Sequence, residues 1–185
     1  MDISAKIKAE LKDLKGGGIY LIITKAVDYE RTNDAVLKYL INTLKMNGIY
    51  VTLNKPYITM RSIFEKSKID LSRIVFLDVI SKTILGDVKS EKNVQFLDSP
   101  EDLTNLSIAV NILASGLQSP KFLFFDSLST LLVYNAIGPV TRFAHFLVGR
   151  MRKWQINGVI ISIEEETDSK LLSELSQFCD SVIRV

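Results

Sequence analysis

A chain of 185 residues that is 47% hydrophobic and 24% charged has the make-up of one soluble domain built on a single core. Its formal net charge of +2 is too small to imply nucleic acid. One cysteine, Cys179, and one histidine, His145, exclude an internal disulfide framework and a multi-histidine metal site.

The opening stretch, MDISAKIKAELKDLK, carries a charge at almost every third position and no continuous apolar run. It predicts an amphipathic helix over 2–15 and has the form of neither a signal nor a transit peptide. Nowhere does the chain approach the roughly 20 apolar residues of a membrane span, so a cytoplasmic protein in a reducing compartment is expected. Gly16-Gly17-Gly18 is predicted to end that helix in a left-handed cap and turn the chain into the sheet. It precedes the first strand, whereas a phosphate loop must follow one.

Short β-branched and aromatic runs then alternate with helical patterns. Strands are expected at 19–24, 49–53, 74–79, 94–97, 121–126, 159–163 and 181–185, with helices near 31–47, 57–68, 99–118, 139–154 and 168–178. This is an α/β pattern with a mostly parallel central sheet flanked by helices, in one domain spanning 1–185. Ser99-Pro100-Glu101-Asp102 reads as a helix N-cap with a first-turn proline. Leu103, Leu106, Val110, Leu113 and Leu117 follow it on one face. Cys179 reads as a small buried residue rather than a reactive thiol.

Ligands of such sheets gather beyond the carboxyl ends of the strands. Those positions hold Lys25 to Arg31, Asn54-Lys55, Asp78, Asp126-Ser127 and Glu164. In FLFFDSLST four apolar residues precede Asp126, the general form of a strand that positions Mg²⁺ through a carboxylate. Without metal, Asp126 is expected to anchor the helix start or a loop, accepting from backbone N–H groups or from the Ser127 and Ser129 hydroxyls. Asp78 and Asp126 share a metal only if their strands are neighbours. The acidic run Glu164 to Asp168 is expected to open a helix, where the macrodipole favours negative charge.

FLFFDSLSTLLVYN resembles the Walker-B segment of KaiC- and RadA-like members of the RecA-type ATPase superfamily. IYVTLNKPY falls where KaiC-like proteins carry a strand ending in two glutamates, and LLSELSQFCDSVIRV resembles their final helix and strand. The resemblance covers residues 18 to 185 and is strongest to archaeal KaiC-related proteins lacking a recognisable phosphate loop. It implies a three-layer RecA-like fold with ATP and Mg²⁺ as the ancestral ligands. Laying GxxxxGK[ST] on ITKAVDYERTND puts Lys25 and Glu30 at the glycines and Arg31-Thr32 at the Lys-[Ser/Thr] pair. The glycine cradle is absent, and non-glycine residues pay about 1–2 kcal/mol each in left-handed conformations. Asp28 and Glu30 add negative charge where phosphate would sit. Asn54 and Lys55 stand where the paired glutamates would polarise water, and neither is a base near neutral pH.

The expectation is therefore a RecA-like domain without catalytic residues, metal or cofactor, acting through self-association or a KaiC/RecA-like protein partner. The alternative is an atypical ATP-binding protein holding phosphate through Lys25, Arg31 and Thr32, with Asp126 on Mg²⁺. Nucleic-acid binding is not expected, because no basic loop with interleaved aromatics occurs. On the helix 139–154, Val140, Phe143, Ala144, Leu147, Met151 and Trp154 form the sheet-facing stripe. Phe146 falls opposite it beside Arg142 and Arg150, either in a setting that resembles an interface hot spot or packed under a neighbouring element of the same chain. RecA-type relatives assemble side to side, which implies self-association.

Overall fold

The buried β-branched runs are paired side by side in the centre of the molecule, as a computed structural model describing residues 2–14 and 16–185 shows. Among the described residues the strands are β1 (Ile19–Thr24), β2 (Asn47–Thr52), β3 (Ile74–Asp78), β4 (Val94–Phe96), β5 (Lys121–Asp126), β6 (Asn157–Ile163) and β7 (Ser181–Arg184). They form one parallel sheet in the order β4-β3-β2-β5-β6-β1-β7. Parallel strands need crossovers, and the helices supply them on both faces. α1 (Ile3–Glu10), α2 (Tyr29–Leu37, widening into a π-turn over Lys38–Thr43) and α3 (Tyr57–Lys66) cover one face. Helices α5 (Leu103–Gly116), α6 (Leu128–Tyr134), α7 (Ile137–Lys153) and α8 (Ser169–Ser176) cover the other; the short α4 (Ser81–Leu85) follows β3. This is the RecA-like three-layer arrangement.

Both faces of the sheet are apolar, so β1 and β6 are buried at every position, as near-continuous hydrophobic runs require. Leu21, Ile23, Val51, Leu123 and Phe125 point to the α5–α8 side. Ile22, Tyr50, Phe124 and Ile161 point to the α1–α3 side. The stripe on α7 falls as its period dictates: Val140, Phe143, Ala144, Leu147 and Met151 are buried, Trp154 is half-buried, and Phe146 stays 46% exposed. No helix of the described residues is long and apolar enough to cross a membrane.

Several local expectations are corrected. α1 stops at Glu10, capped by the backbone N–H of Leu11, rather than running to 15; Lys15 lies outside the described residues. Gly17 does adopt a left-handed conformation (φ +84°), but in the turn beneath Arg152 and Gln155, well past the helix end. The cap of α5 is Asp102, whose carboxylate accepts from the Asn105 N–H at 2.9 Å, so Ser99 and Pro100 precede the helix. The short helices α4 and α6 lie outside the sequence-based expectation. Cys179 is a free, half-buried thiol packed against the core, and burial pushes its pKa up to about 12.

Close packing of β2 on β5 demands a glycine. A Cβ on Gly48 would stand 2.1 Å from the Phe122 ring, which is itself fully buried. Gly48→Ala should therefore cost about 1–3 kcal/mol, the range for overpacking a core. Gly116→Ala, where a Cβ meets open space, should change stability by less than about 0.5 kcal/mol. Urea denaturation of both variants against the parent checks the contrast.

Candidate functional site

The carboxyl ends of β1, β2 and β5 meet the start of α2, and Asp126 is the group they enclose. It ends β5, is 1% exposed, and lies level with Thr52 of β2. A buried carboxylate must be hydrogen-bonded or neutralised. Here two phenols do the bonding: the Tyr29 hydroxyl donates to Oδ1 and the Tyr50 hydroxyl to Oδ2. Tyr29 opens α2, and Tyr50 lies two residues before Thr52 on β2, so one side chain ties three elements together. Asp126 thus differs from the expected helix anchor. The α6 cap is Ser127, which bonds the Ser129 and Thr130 hydroxyls and the Thr130 N–H.

Ring packing fixes the donors. Tyr50 stacks on Phe124 at 5.3 Å and meets Phe64 edge-on at 5.0 Å and Phe76 at 5.7 Å. Tyr29 is 8% exposed, and Asn54 Nδ2 reaches its hydroxyl at 3.5 Å. Burial pushes the Asp126 carboxyl above the usual carboxylate range, although both phenol donors act in the opposite sense. Burial first, and the neighbouring carboxylate second, push both phenols above their ordinary value, so they remain protonated donors. A cavity of about 30 Å³ adjoins the cluster, lined by Tyr29, Asn33, Lys55, Met60 and Phe64 among others. That is room for about one water.

The structure divides the four residues of the alternative reading. Thr32 and Asp126 are buried, whereas Lys25 and Arg31 are exposed. The Thr32 hydroxyl bonds that of Thr24 at 3.0 Å, and Arg31 pairs with Asp28 at 3.1 Å. The segment Ala26–Asp28 forms a tight single turn rather than an open loop. The Ala26 N–H points to the Glu165 carboxylate at 3.0 Å, so an anion of the chain itself sits on this helix start. Lys55 pairs with Glu30, and Glu164 with Arg184 at 2.7 Å. Glu164–Glu166 is a short turn, and the helix that follows it is capped by Asp168 through the Lys170 and Leu171 N–H groups.

Asp78 and Asp126 do not share a site. β2 lies between their strands, with Thr52 opposite both. Asp78, fully buried, accepts from the N–H groups of Tyr57 (2.6 Å), Ile80 (2.9 Å) and Ser81 (2.7 Å) and from the Ser81 hydroxyl. It starts α3 and α4 and has a structural role. No group of three or more metal-ligating side chains occurs among the described residues.

Tyr29 and Tyr50 are the residues that sequence reasoning overlooked. A signal for Tyr50 was present: a tyrosine inside a buried strand needs a partner for its hydroxyl. Asp126→Ala leaves two buried phenols without an acceptor, at about 1–3 kcal/mol each, and should destabilise the fold by about 2–6 kcal/mol. Asp126→Asn keeps one acceptor, sheds the buried charge, and should lose less. The sign with pH follows from the raised carboxyl pKa. The folded state keeps its proton longer than the unfolded one, so the contribution of Asp126 is most favourable below about pH 4 and declines as pH rises through the raised value. Denaturation of parent and Asp126→Asn from about pH 4 to 7 should show that component only in the parent.

The comparisons with known proteins agree with the fold. The structure is similar to the flagellar accessory protein FlaH from Methanocaldococcus jannaschii, with a TM-score of 0.66 and 11% identity over 100% of this chain and 76% of that one. It is similar to the KaiC-like protein PH0186 from Pyrococcus horikoshii OT3 (0.58, 11%, 91% of this chain and 71% of that one). It is also similar to the uncharacterised protein PH0321 from Pyrococcus horikoshii, solved in complex with an unknown peptide (0.67, 14%, 97% and 82%). No curated protein matches the sequence. Residues 77–185 match the model of DUF7504, a family of unknown function, and the chain belongs to that family.

Proposed function

We propose that this chain is a RecA-like domain that performs no nucleotide chemistry and works as a protein-interaction module, engaging a second copy or a KaiC/RecA-like partner. The observation that carries this reading is the pair of phenols on Asp126. Each oxygen through which that carboxylate would reach a metal or its water already accepts a hydrogen bond from within the chain. Three further contacts support it. Glu165 takes the Ala26 N–H, the Thr24 and Thr32 hydroxyls share a hydrogen bond, and the lysine at the expected water-polarising position is paired with Glu30. A bound triphosphate would have to displace Tyr29 and Glu165 together and expose Asp28 and Glu30 to like charge. One such pair at ~5 Å is worth about 3 kcal/mol of repulsion at an effective dielectric near 20. These residues do not fit a magnesium–nucleotide complex.

The interaction role is supported by the exposed Phe146 on α7 and by PH0321, whose structure contains an unknown peptide. The competing reading, an ATP-binding protein using Lys25, Arg31, Thr32 and Asp126, requires the start of α2 to open.

Purified protein with ATP and Mg²⁺ should show neither turnover above background nor a titratable binding heat. Asn54→Glu with Lys55→Glu should stay inactive, since restoring a base does not clear Asp126. Saturable turnover that vanishes in Asp126→Ala would overturn the reading.

A further inference from the structure

The sheet ends at β4, which is bonded to β3 alone. The Phe76 N–H donates to the Asn93 carbonyl and the Leu97 N–H to the Asp78 carbonyl, each at 2.8 Å. In a parallel ladder these bonds turn the backbone of Asn93, Gln95 and Leu97 towards β3 and that of Val94 and Phe96 away from it. Among the described residues no segment hydrogen-bonds the outward N–H and C=O groups of Val94 and Phe96. Proteins commonly blunt such an edge with lysine, proline or a covering segment. Val94-Gln95-Phe96-Leu97 contains no charge and no proline, and each of these residues is partly exposed.

A groove lies on each side of this edge, and Phe96 lines both. The one on the α3 face, about 220 Å³, is bounded by Tyr57, Ile58, Leu85, Val88 and Phe96 among others. Ile58 is 66% exposed and Leu85 55%, so two aliphatic side chains stand uncovered there. The one on the α5 face, about 270 Å³, is mostly polar, with Lys82, Gln95, Asp98, Asp102 and Asn105 around Ile108. Lys82 pairs with Asp98 at 2.6 Å, which leaves the Asp102 carboxylate, bonded to Asn105, without a cation among the described residues.

A strand added to an open edge gains main-chain bonds from alternate residues and sends successive side chains to opposite faces. The backbone chemistry of β4 therefore calls for an extended segment rather than a helix, whose N–H and C=O groups are spent internally. β4 has only three residues, so the side chains seated in the two grooves must supply much of the affinity. They call for alternation, with apolar residues against Ile58 and Leu85 and basic ones towards Asp102.

We infer that the free edge of β4 accepts an extended segment of another protein as an added strand, in which apolar side chains alternate with basic ones. This assignment rests on the interaction-module reading and gives the partner's chemistry.

The test uses the full chain and a fluorescent peptide of about six residues, valine alternating with lysine. Its comparison probes are a valine–glutamate twin and two N-methylated forms, one methylated on the valine amides and one on the lysine amides. Successive residues of a strand turn their N–H groups to opposite edges, so one methylated form blocks the edge that meets β4 and the other leaves it free. Anisotropy should show saturable binding below about 1 mM, weakened at least about tenfold in one methylated form and less than about threefold in the other. The glutamate twin should bind at least about threefold more weakly. Ile58→Ser with Leu85→Ser should weaken binding about tenfold while circular dichroism and the denaturation midpoint hold, and Ile58→Ser alone serves should the pair disturb folding. Amide exchange followed by NMR should slow at least about tenfold at Val94 and Phe96 when peptide is bound, and far less at Gln95, which already faces β3.

No binding at about 1 mM peptide, equal binding of the two methylated forms or of the glutamate twin, or unslowed exchange at Val94 and Phe96 overturns the assignment. So does sedimentation showing a self-associated parent that Ile58→Ser with Leu85→Ser dissociates, which gives the edge to a second copy. Failure of the peptide with ATP turnover still absent removes only this edge; ATP turnover removes the module reading whatever the peptide does.

Discussion

The hydrogen bonds from Tyr29 and Tyr50 to Asp126 are the constraint on which the rest of the strand-end architecture depends. A carboxylate this deeply enclosed loses its hydration, and leaving one oxygen unpaired would cost several kcal/mol on the scale typical of buried charges. Two donors are therefore required, and they must come from elements held rigidly in place. Tyr50 is held by a ring cluster with Phe64, Phe76 and Phe124. Tyr29 is held because α2 begins there, after a turn whose first N–H is bound to Glu165. The acid thus ties the first residue of α2 to the ends of β2 and β5.

The two strand-terminal aspartates show how one residue type serves different ends. Asp78 and Asp126 occupy equivalent heights on either side of Thr52, and both are essentially fully buried. Asp78 meets backbone N–H groups that the starts of two helices leave unsatisfied, an arrangement that binds a charge strongly and locally. Asp126 meets only side chains, 97 and 76 residues away in sequence. Its carboxyl pKa is raised by burial, and the two phenol donors act against that shift without reversing it.

That difference also marks what the sequence discloses. Strand positions were legible because parallel strands buried on both faces leave continuous β-branched runs, and β1 and β5 begin and end where the runs do. The α7 stripe was legible because helical period alone sets it, which is why Phe146 faces outward. The clasp was not, because nothing local in FLFFDS tells a metal-positioning carboxylate from one bonded to distant phenols. Helix ends were misjudged for a related reason. LKDLK continues a helical pattern beyond Glu10, but α1 is a single short layer whose buried anchors are Ile7 and Leu11, and the chain turns once they are seated. Asp102 displaced Ser99 as a cap because its carboxylate reaches Asn105 directly.

Charge placement links the closed corner to the open helix face. At the strand ends Glu30, Asp28 and Glu164 are neutralised by Lys55, Arg31 and Arg184, and Glu165 sits on a backbone N–H. Exposed pairs of this kind contribute about 0–1 kcal/mol each to stability. Their larger effect is on recognition, since a cation already opposed by a carboxylate offers little to a phosphate, and Lys25 is left as an exposed cation without an ion pair among the described residues. On α7 the reverse arrangement holds. Arg142, Arg150 and Lys153 have no ion pair among the described residues, and the Arg150 guanidinium lies 5.0 Å from the centre of the Phe146 ring. A fold whose ligands ordinarily gather at the strand ends has here opposed most of the charges at those ends within the chain, leaving Lys25 and the 83% exposed Val27 as the open groups of that corner.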